Sequence, residues 1–420
     1  MKKTTIVIGV VADDFTGASD AASFLRKGGL NTVLYTGLPA DKGADIPNGT
    51  QAVVVALKSR TDHVDRAVKN TLDVTDWFEK MGIEHFYIKY CSTFDSTPQG
   101  NIGPVCDAVM EKYKIPYTLL CPSLPINGRT VRDGILYVNG IPLGQSSMRM
   151  HPLTPMWDSY IPELMKEQSK YTCHLLQKEE SERWREIADN ITTNKEHFYL
   201  VPDYETNEDA ETIVNIFGNL KLLTGGSGIL EKLAIYLKKE NFSETEENLP
   251  ETPGKTVIVS GSCSVTTQAQ VKKYLDMNGK GIEVWPEKII SGDQSAESII
   301  SQINSINEDK ILIYSSGSIG APIAENNEKA ASVMEDTLAE IAQKLSCQNY
   351  THIICAGGET SGAVTKKLGY KAYKIGKSVA PGVPVLIPLE DERVRLVLKS
   401  GNFGKEDFFI SAIKITGGIF

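Results

Sequence analysis

Two adjacent carboxylates, Asp13 and Asp14, stand where an apolar, β-branched run ending at Ala12 gives way to helical spacing. In open α/β sheets ligands collect outside the carboxyl ends of strands, where helix N-termini converge. A carboxylate pair at that point can position an acceptor hydroxyl, take its proton or hold Mg²⁺. The structural alternative is capping, with Asp14 or Thr16 accepting from the first free amides of the helix. A second strand end carries Lys58-Ser59-Arg60-Thr61, in which the planar fork of Arg60 suits a carboxylate, although a surface arginine is the commoner case.

A third strand end leads into Lys89-Tyr90-Cys91-Ser92-Thr93-Phe94-Asp95-Ser96-Thr97, followed by Gly100-Asn101-Ile102-Gly103. Its hydroxyls, with Asp95 and Ser96, suit a polyhydroxylated ligand, and Lys89 suits an anion. An Asx-turn loop would explain it alone; three such loops at successive strand ends favour a polar-ligand pocket. Gly225-Gly226-Ser227-Gly228 reads equally as an anion-binding turn or a tight helix entry. Arg129 and Arg132 add positive charge in a loop that sequence does not place.

In the second half, Ser260-Gly261-Ser262-Cys263-Ser264 and Ala356-Gly357-Gly358-Glu359-Thr360-Ser361-Gly362 each follow a strand and open a helix. Small residues there let backbone amides approach phosphate oxygens. Neither segment matches GxxxxGK[ST] or GxGxxG, so a nucleotide site would be neither a P-loop nor a dinucleotide fingerprint. Ser400-Gly401-Asn402-Phe403-Gly404 is a third glycine loop, for which a plain turn is the default.

The elements that must position these loops alternate as α/β layering requires. Strands are expected at Thr4–Ala12, Thr32–Tyr35, Ala52–Leu57, His85–Ile88, Tyr117–Cys121 and His197–Val201. Helices are expected at Thr16–Lys27, His63–Met81, Ile102–Tyr113, Glu180–Thr192, Asn207–Phe217 and after Gly228. Turn signals between Pro122 and Pro162 predict a hairpin and loops. The acidic, Pro-containing stretch near Glu240–Pro253 reads as a linker, giving domains at 1–238 and 255–420 joined through 239–254. The second domain has strands at Thr256–Ser260, Gly281–Trp285, Lys310–Tyr314 and His352–Cys355, a helix at Val265–Met277, and a strand-rich end from Pro384 to Lys414 that includes Phe408–Ile415.

A chain of 420 residues, 41% hydrophobic and 23% charged, has the composition of two globular domains. The net charge of −9 runs against phosphate-backbone binding, so no nucleic-acid partner is expected; one nucleotide can still be held by local amides and cations. Seven Cys without a CxxC pair fit neither a disulfide framework nor a zinc site and imply a reducing compartment. The apolar run from Ile6 is cut by Asp13 too early for a signal peptide. No stretch reaches the roughly 18 apolar residues of a membrane span. A cytoplasmic protein with no membrane partner is the expectation.

Together, Ala12–Asp20, Lys89–Thr97 with Gly100–Gly103, Gly261–Ser264, Gly357–Thr360 and Gly401–Gly404 resemble the four-carbon acid sugar kinase family, along nearly the whole chain and in the family's order. Lys89–Thr97 and Pro125–Val131 look most like its 3-oxo-tetronate kinase branch. The resemblance implies a two-domain α/β fold with mainly parallel sheets, sugar-acid-binding first and nucleotide-binding second. It implies ATP-dependent phosphorylation at O4, with ATP and Mg²⁺ as cofactors. Oligomeric state is not read from the sequence, and a homo-oligomer is an open option. Carried over by position, Asp13 or Asp14, Arg60, Lys89, Tyr90, Cys91, Ser92, Asp95 and Ser96 fall to the sugar acid, with Asp14 or Asp13 catalytic. Ser262, Gly357, Gly358, Glu359, Thr360 and Gly401 fall to ATP; metal ligands stay unassigned. Ser19 stands where the family often has Thr, which keeps the hydroxyl. A flexible linker further implies domain closure to exclude water. D-threonate or D-erythronate kinases and a non-catalytic sugar-acid-binding protein are the alternatives, and a nicotinamide dehydrogenase is disfavoured by the missing fingerprint.

Overall fold

The computed structural model describes residues 6–40, 46–151, 153–193, 197–238, 252–315, 327–401 and 403–417. Contacts divide the chain into two compact units, Met1–Thr245 and Glu246–Phe420. Of the expected linker, residues 239–251 lie outside the described set.

The first unit runs β1 (Ile8–Ala12), α1 (Phe15–Lys27), β2 (Thr32–Thr36), β3 (Ala52–Ala56), α2 (Val64–Lys80), β4 (His85–Lys89), α3 (Ile102–Tyr113) and β5 (Tyr117–Leu119). It continues through β6 (Arg129–Arg132), β7 (Ile135–Val138), β8 (Ile141–Pro142), α4 (Ile161–Lys166), β9 (Cys173–Leu176), α5 (Trp184–Thr192), β10 (Phe198–Pro202), α6 (Asn207–Phe217), β11 (Leu222–Gly225) and α7 (Leu230–Leu237). The order β11-β4-β1-β3-β2 is parallel throughout. β1 and β3 are buried end to end, as unbroken runs of Val, Ile and Ala require in a sheet covered on both faces.

Register does the positioning. Ala12 pairs with Ala56 and Lys89, and Lys89 with Gly225, so the loops after β1, β3, β4 and β11 leave the sheet side by side. The chain departs β1 toward β2 on one side and β4 toward elements on the other, where β11 lies. Such a divergence opens a crevice at the strand ends.

Two smaller sheets complete the unit, β5-β10-β9 parallel and β6-β7-β8 antiparallel. The expected hairpin between Pro122 and Pro162 is this second sheet. Asn139 and Gly140, both left-handed at φ 51° and 79°, turn β7 into β8, which is the backbone that an Asn-Gly pair adopts most readily.

The second unit runs β12 (Thr256–Ser260), α8 (Val265–Asp276), β13 (Gly281–Val284), α9 (Pro286–Ser291), α10 (Ala296–Ile306), β14 (Lys310–Ser315), α11 (Asn327–Ser346), β15 (His352–Ala356), α12 (Gly358–Leu368), β16 (Ala372–Ala380), β17 (Val383–Pro388), β18 (Arg395–Lys399) and α13 (Phe408–Ile415). Its order is β16-β17-β18-β15-β12-β14-β13. The pairs from β18 to β13 are parallel, and β17 is antiparallel to both its neighbours.

The strand-rich end is corrected here. Strands occupy Ala372–Lys399, but Phe408–Ile415 is a helix. Phe408, Phe409, Ala412 and Ile413 share one helical face and pack on Ile258, Leu312, Ile354 and Val397 of the sheet. A β-branched composition looked like a strand; the burial of positions i, i+1, i+4 and i+5 is what a helix does with it. Among the described residues no helix is long and apolar enough to cross a membrane.

Candidate active site

Asp13 and Arg60, 47 positions apart, are brought together by the Ala12–Ala56 register. Arg60 Nε and Nη2 donate to Asp13 Oδ2 and Oδ1 at 2.8 and 2.9 Å, a two-pronged pair. The Asp13 carbonyl also accepts from the Ser59 and Arg60 amides at 2.9 and 3.3 Å. Arg60 Nη2 lies 3.0 Å from Asp14 Oδ1, and Nη1 lies 3.7 Å from Asp95 Oδ2. One guanidinium therefore ties three carboxylates, from the loops after β1 and β4. Beneath it a cavity of about 20 Å³, lined by Asp13, Arg60, Lys89, Asp95 and Asn101 among others, has room for about one water.

Asp14 does cap α1, with Oδ1 accepting from Gly17 N at 2.7 Å. Its side chain is still 31% exposed, and its two contacts among the described residues both use Oδ1. Burial raises its pKa, as does the Asp13 charge, against the opposing pull of Arg60 and Lys89. A carboxylate held at one oxygen and poised above its usual range has the character of a general base.

Lys89 closes β4 and is buried, its Nζ donating to the Tyr90 carbonyl at 2.8 Å. Near it lies Asp20, a buried carboxylate on α1 that the sequence reading quoted in its motif but did not select. Asp20 Oδ2 accepts from the Ser227 hydroxyl, while Oδ1 is buried with no hydrogen-bond partner among the described residues. Burial raises the Asp20 pKa, opposed by Lys89 and by the Ser227 hydrogen bond. The available signal was a lone charge within Gly17-Ala18-Ser19-Asp20-Ala21-Ala22, a segment otherwise of small, uncharged residues.

The loop after β4 is strained. Phe94 and Asp95 take φ of 63° and 25°, a region that residues with a Cβ rarely enter and that costs of order 1–3 kcal/mol each. Asp95 is held there by the Thr93 hydroxyl at 2.7 Å and by its ion pair with Arg60. Tyr90 and Ser96, expected on the ligand, are buried: Tyr90 reaches Thr224 at 3.3 Å and stacks edge-on with Phe94, while Ser96 donates to Gln168 at 3.1 Å. Cys91 and Ser92 are half-buried. Burial pushes the Cys91 thiol up to about 11, so it is no thiolate nucleophile at neutral pH.

The Gly225–Gly228 turn has a packing explanation. A Cβ on Gly225, Gly226 or Gly228 would fall 2.1 to 2.5 Å from the carbonyl oxygens of Cys121, Pro122 and Ser123. Arg129 and Arg132 stay apart from the carboxylate cluster in their recorded contacts, Arg129 with the Asn127 carbonyl and Arg132 with Asp133.

In the second unit the two expected phosphate turns differ. Ser264 caps α8, its hydroxyl accepting from Thr267 N at 3.2 Å, and Ser262 Oγ hydrogen-bonds Ser264 at 3.2 Å. The helix α12 is preceded by Gly357, φ 125°, with no side-chain cap, so its first amides have no acceptor within the helix. A Cβ on Gly358 would meet nothing within 4 Å, so packing does not require that glycine, whereas Gly261 and Gly401 are pressed against Thr360 Oγ1 and Ser262 Oγ. At the start of α12 Gly358 and Glu359 are exposed and Gly357 and Thr360 buried, with Ser262 packed against Gly357 and Gly401 against Ser262. Burial together with the Glu359 charge raises the Glu335 carboxyl to about 7. Asn402 lies outside the described residues.

Residues 8–233 match the family described as a sugar-binding N-terminal domain, and 257–409 that described as a nucleotide-binding C-terminal domain. The chain is 39% identical to a 3-oxo-tetronate kinase of Actinobacillus succinogenes, covering 96% of this chain and 98% of the relative. It is 38% identical to a 3-oxo-tetronate kinase of Haemophilus influenzae, covering 96% and 98%. A Haemophilus influenzae crystal structure superposes with a TM-score of 0.79 at 37% identity over 97% of this chain and 100% of that one. Another, from Salmonella typhimurium LT2 and described as a tRNA synthase, gives 0.86 at 36% over 97% and 98%.

Proposed function

The chain belongs to the four-carbon acid sugar kinase family, and from that premise we propose that it transfers the γ-phosphoryl group of ATP to the O4 hydroxyl of 3-oxo-tetronate, giving the 4-phosphate and ADP. The observation that carries this reading is the likeness, over nearly the full length, to 3-oxo-tetronate kinases. The carboxylate and ammonium cluster at the ends of β1, β3 and β4 supports it chemically. The tRNA-synthase description of the Salmonella structure does not carry over well to a chain of net charge −9.

Phosphoryl transfer with a loose transition state asks for alignment and charge stabilisation, which is what fixed side chains supply. Lys89 meets the substrate carboxylate, with positive charge added by Arg60, whose Nε and Nη2 are committed to Asp13 and Asp14 and whose Nη1 stands 3.7 Å from Asp95. Ser92 and Cys91 line the sugar acid, while Tyr90, Asp95 and Ser96 hold the loop in its strained shape. Asp14, through Oδ2, accepts the proton of the O4 hydroxyl as it attacks, and Asp13 fixes Arg60 beside it.

The amides of Gly358, Glu359 and Thr360 at the uncapped start of α12 receive phosphate oxygens, with Ser262 and Gly401 bordering them. Mg²⁺ usually keeps several waters and binds through one or two carboxylates and the substrate phosphates. Glu359 and Glu335, neighbours at the start of α12, are the carboxylates that would hold it in that way. Mg²⁺ there would neutralise charge on the phosphates. We place the reaction in the cytoplasm.

The phosphorylated position tests this. 3-Oxo-tetronate has hydroxyls at C2 and C4, and only the latter sits on a methylene. A product whose phosphorus resonance couples to the two protons of a methylene supports the assignment; coupling to a single proton contradicts it.

A further inference from the structure

Lys399 ends β18 only 1% exposed, and its ammonium is engaged on all sides. Nζ donates to Thr267 Oγ1 at 2.8 Å, to the Gly401 carbonyl at 3.0 Å and to the Ser400 carbonyl at 3.1 Å. An ammonium has three N–H donors. The set is complete and leaves no proton for a phosphate. Nζ also sits 5.7 Å from the centre of the Phe408 ring, a cation–π distance, and among the described residues no carboxylate pairs with it.

The acceptors belong to the loops around the start of α12. The Gly401 carbonyl takes hydrogen bonds from Ser264 Oγ at 2.7 Å, Thr267 Oγ1 at 2.8 Å and Lys399. Gln270 Nε2 holds the same segment at the Phe403 and Lys405 carbonyls, at 3.0 and 2.9 Å. The Lys399 carbonyl in turn accepts from Gly357 N at 2.9 Å. Lys399 therefore lies where the Ser262–Ser264 turn, the start of α12 and the Gly401 loop meet. Burying a cation without a counter-charge costs stability that an apolar side chain of the same length would not lose.

We propose that Lys399 is a positioning residue for the nucleotide: without touching the phosphates, its ammonium clamps the Gly401 loop against the start of α8, so that ATP affinity depends on that ammonium being charged. This rests on the reading of these loops as the ATP site. The groups around Nζ, Thr267 from α8, Phe408 from α13, the Ser400 and Gly401 carbonyls of its own loop and Ala356 in register on β15, are all neutral. Burial lowers the Lys399 pKa to about 8 with no facing carboxylate to restore it. The clamp then loosens as pH rises from 7 to 9.

The sign for the fold is opposite. An unfolded lysine titrates near ~10.4, so between about 8 and that value the unfolded chain binds the proton that the folded chain has shed, and this group's own effect is to raise stability with pH. Weaker nucleotide binding without a lower melting temperature is thus the specific signature.

The test is calorimetric titration of the full chain with ATP at fixed Mg²⁺, at pH 7.2, 8 and 9, with melting temperature followed in parallel. The wild type should bind about tenfold more weakly at pH 9 than at pH 7.2, because only about a tenth of a group of pKa 8 is still protonated there. Lys399→Arg, charged throughout, should keep its affinity across the range, and Lys399→Met should be weak at every pH. A wild-type Kd that does not change with pH, or Lys399→Met binding as tightly as the wild type at pH 7.2, overturns the proposal. If either variant fails to fold, the wild-type series alone decides. Absence of ATP binding by the wild type at every pH would defeat the nucleotide reading itself, and the proposal with it.

Discussion

Asp14 caps α1 and pairs with Arg60 through the same carboxylate oxygen, so its capping and the proposed role in proton transfer have to be separated by choice of substitution. Asparagine caps a helix about as well as aspartate but cannot take a proton. Asp14→Asn should lower kcat by about 10²-fold or more with ATP affinity and melting temperature nearly unchanged. Asp14→Ala should lose the cap as well, about 1 kcal/mol, seen as a drop in melting temperature. An Asp14→Asn enzyme with wild-type kcat would remove Asp14 from the chemistry. If Asp14 is the base, it works as the anion, and because its pKa is raised turnover should fall as pH falls, starting above the ordinary carboxylate range; a kcat level down to pH 4 would contradict a base of this kind. Asp13 and Asp14 were legible as residues because a carboxylate pair at a strand-to-helix junction is a local signal. The three-carboxylate tie through Arg60 was not, since its members lie on separate loops and only sheet register joins them.

Helix starts are the elements that divide the work. α1 and α8 are capped by their own side chains, Asp14 and Ser264, while α12 starts bare at a glycine. Gly357 and Gly358 look alike in sequence and should respond differently. Gly357→Ala forces a Cβ onto φ 125°, 3.0 Å from Thr360 Oγ1, and should lower both melting temperature and ATP affinity, at a cost of order 1–3 kcal/mol. Gly358→Ala meets nothing within 4 Å and should leave the melting temperature in place while weakening ATP binding, because the added methyl occupies the approach to the free amides. Equal ATP affinity for Gly358→Ala and wild type, by calorimetry, would place the phosphates elsewhere. Sequence reading found the glycine turns at α8 and α12 but ranked them together, because a cap is a matter of which amide a hydroxyl reaches. It misread Phe408–Ile415 for a similar reason, since periodicity in so short an apolar run is decided by what it packs on. The left-handed Phe94 left no trace in composition, since a bulky aromatic side chain is not one that such backbone favours.

Across the whole molecule, each unit places its candidate residues at the carboxyl ends of parallel strands, and each ends a strand with a buried lysine whose ammonium donates to its own loop carbonyls. Strand alternation and the ordered set of loops carried the two-domain α/β organisation and the family from sequence alone. What they did not carry was the buried charges beside the candidate loops, Asp20 near Lys89 and Lys399 near Gly401, because a buried charge is defined by neighbours that come from distant segments. The account stands most directly on one assay: substrate-dependent ADP release by the full chain with Mg-ATP and, separately, 3-oxo-tetronate, D-threonate and D-erythronate. It predicts turnover with 3-oxo-tetronate well above that with the other two acids. Turnover of threonate or erythronate in preference, or ADP release with none of the three while ATP still binds, would contradict it.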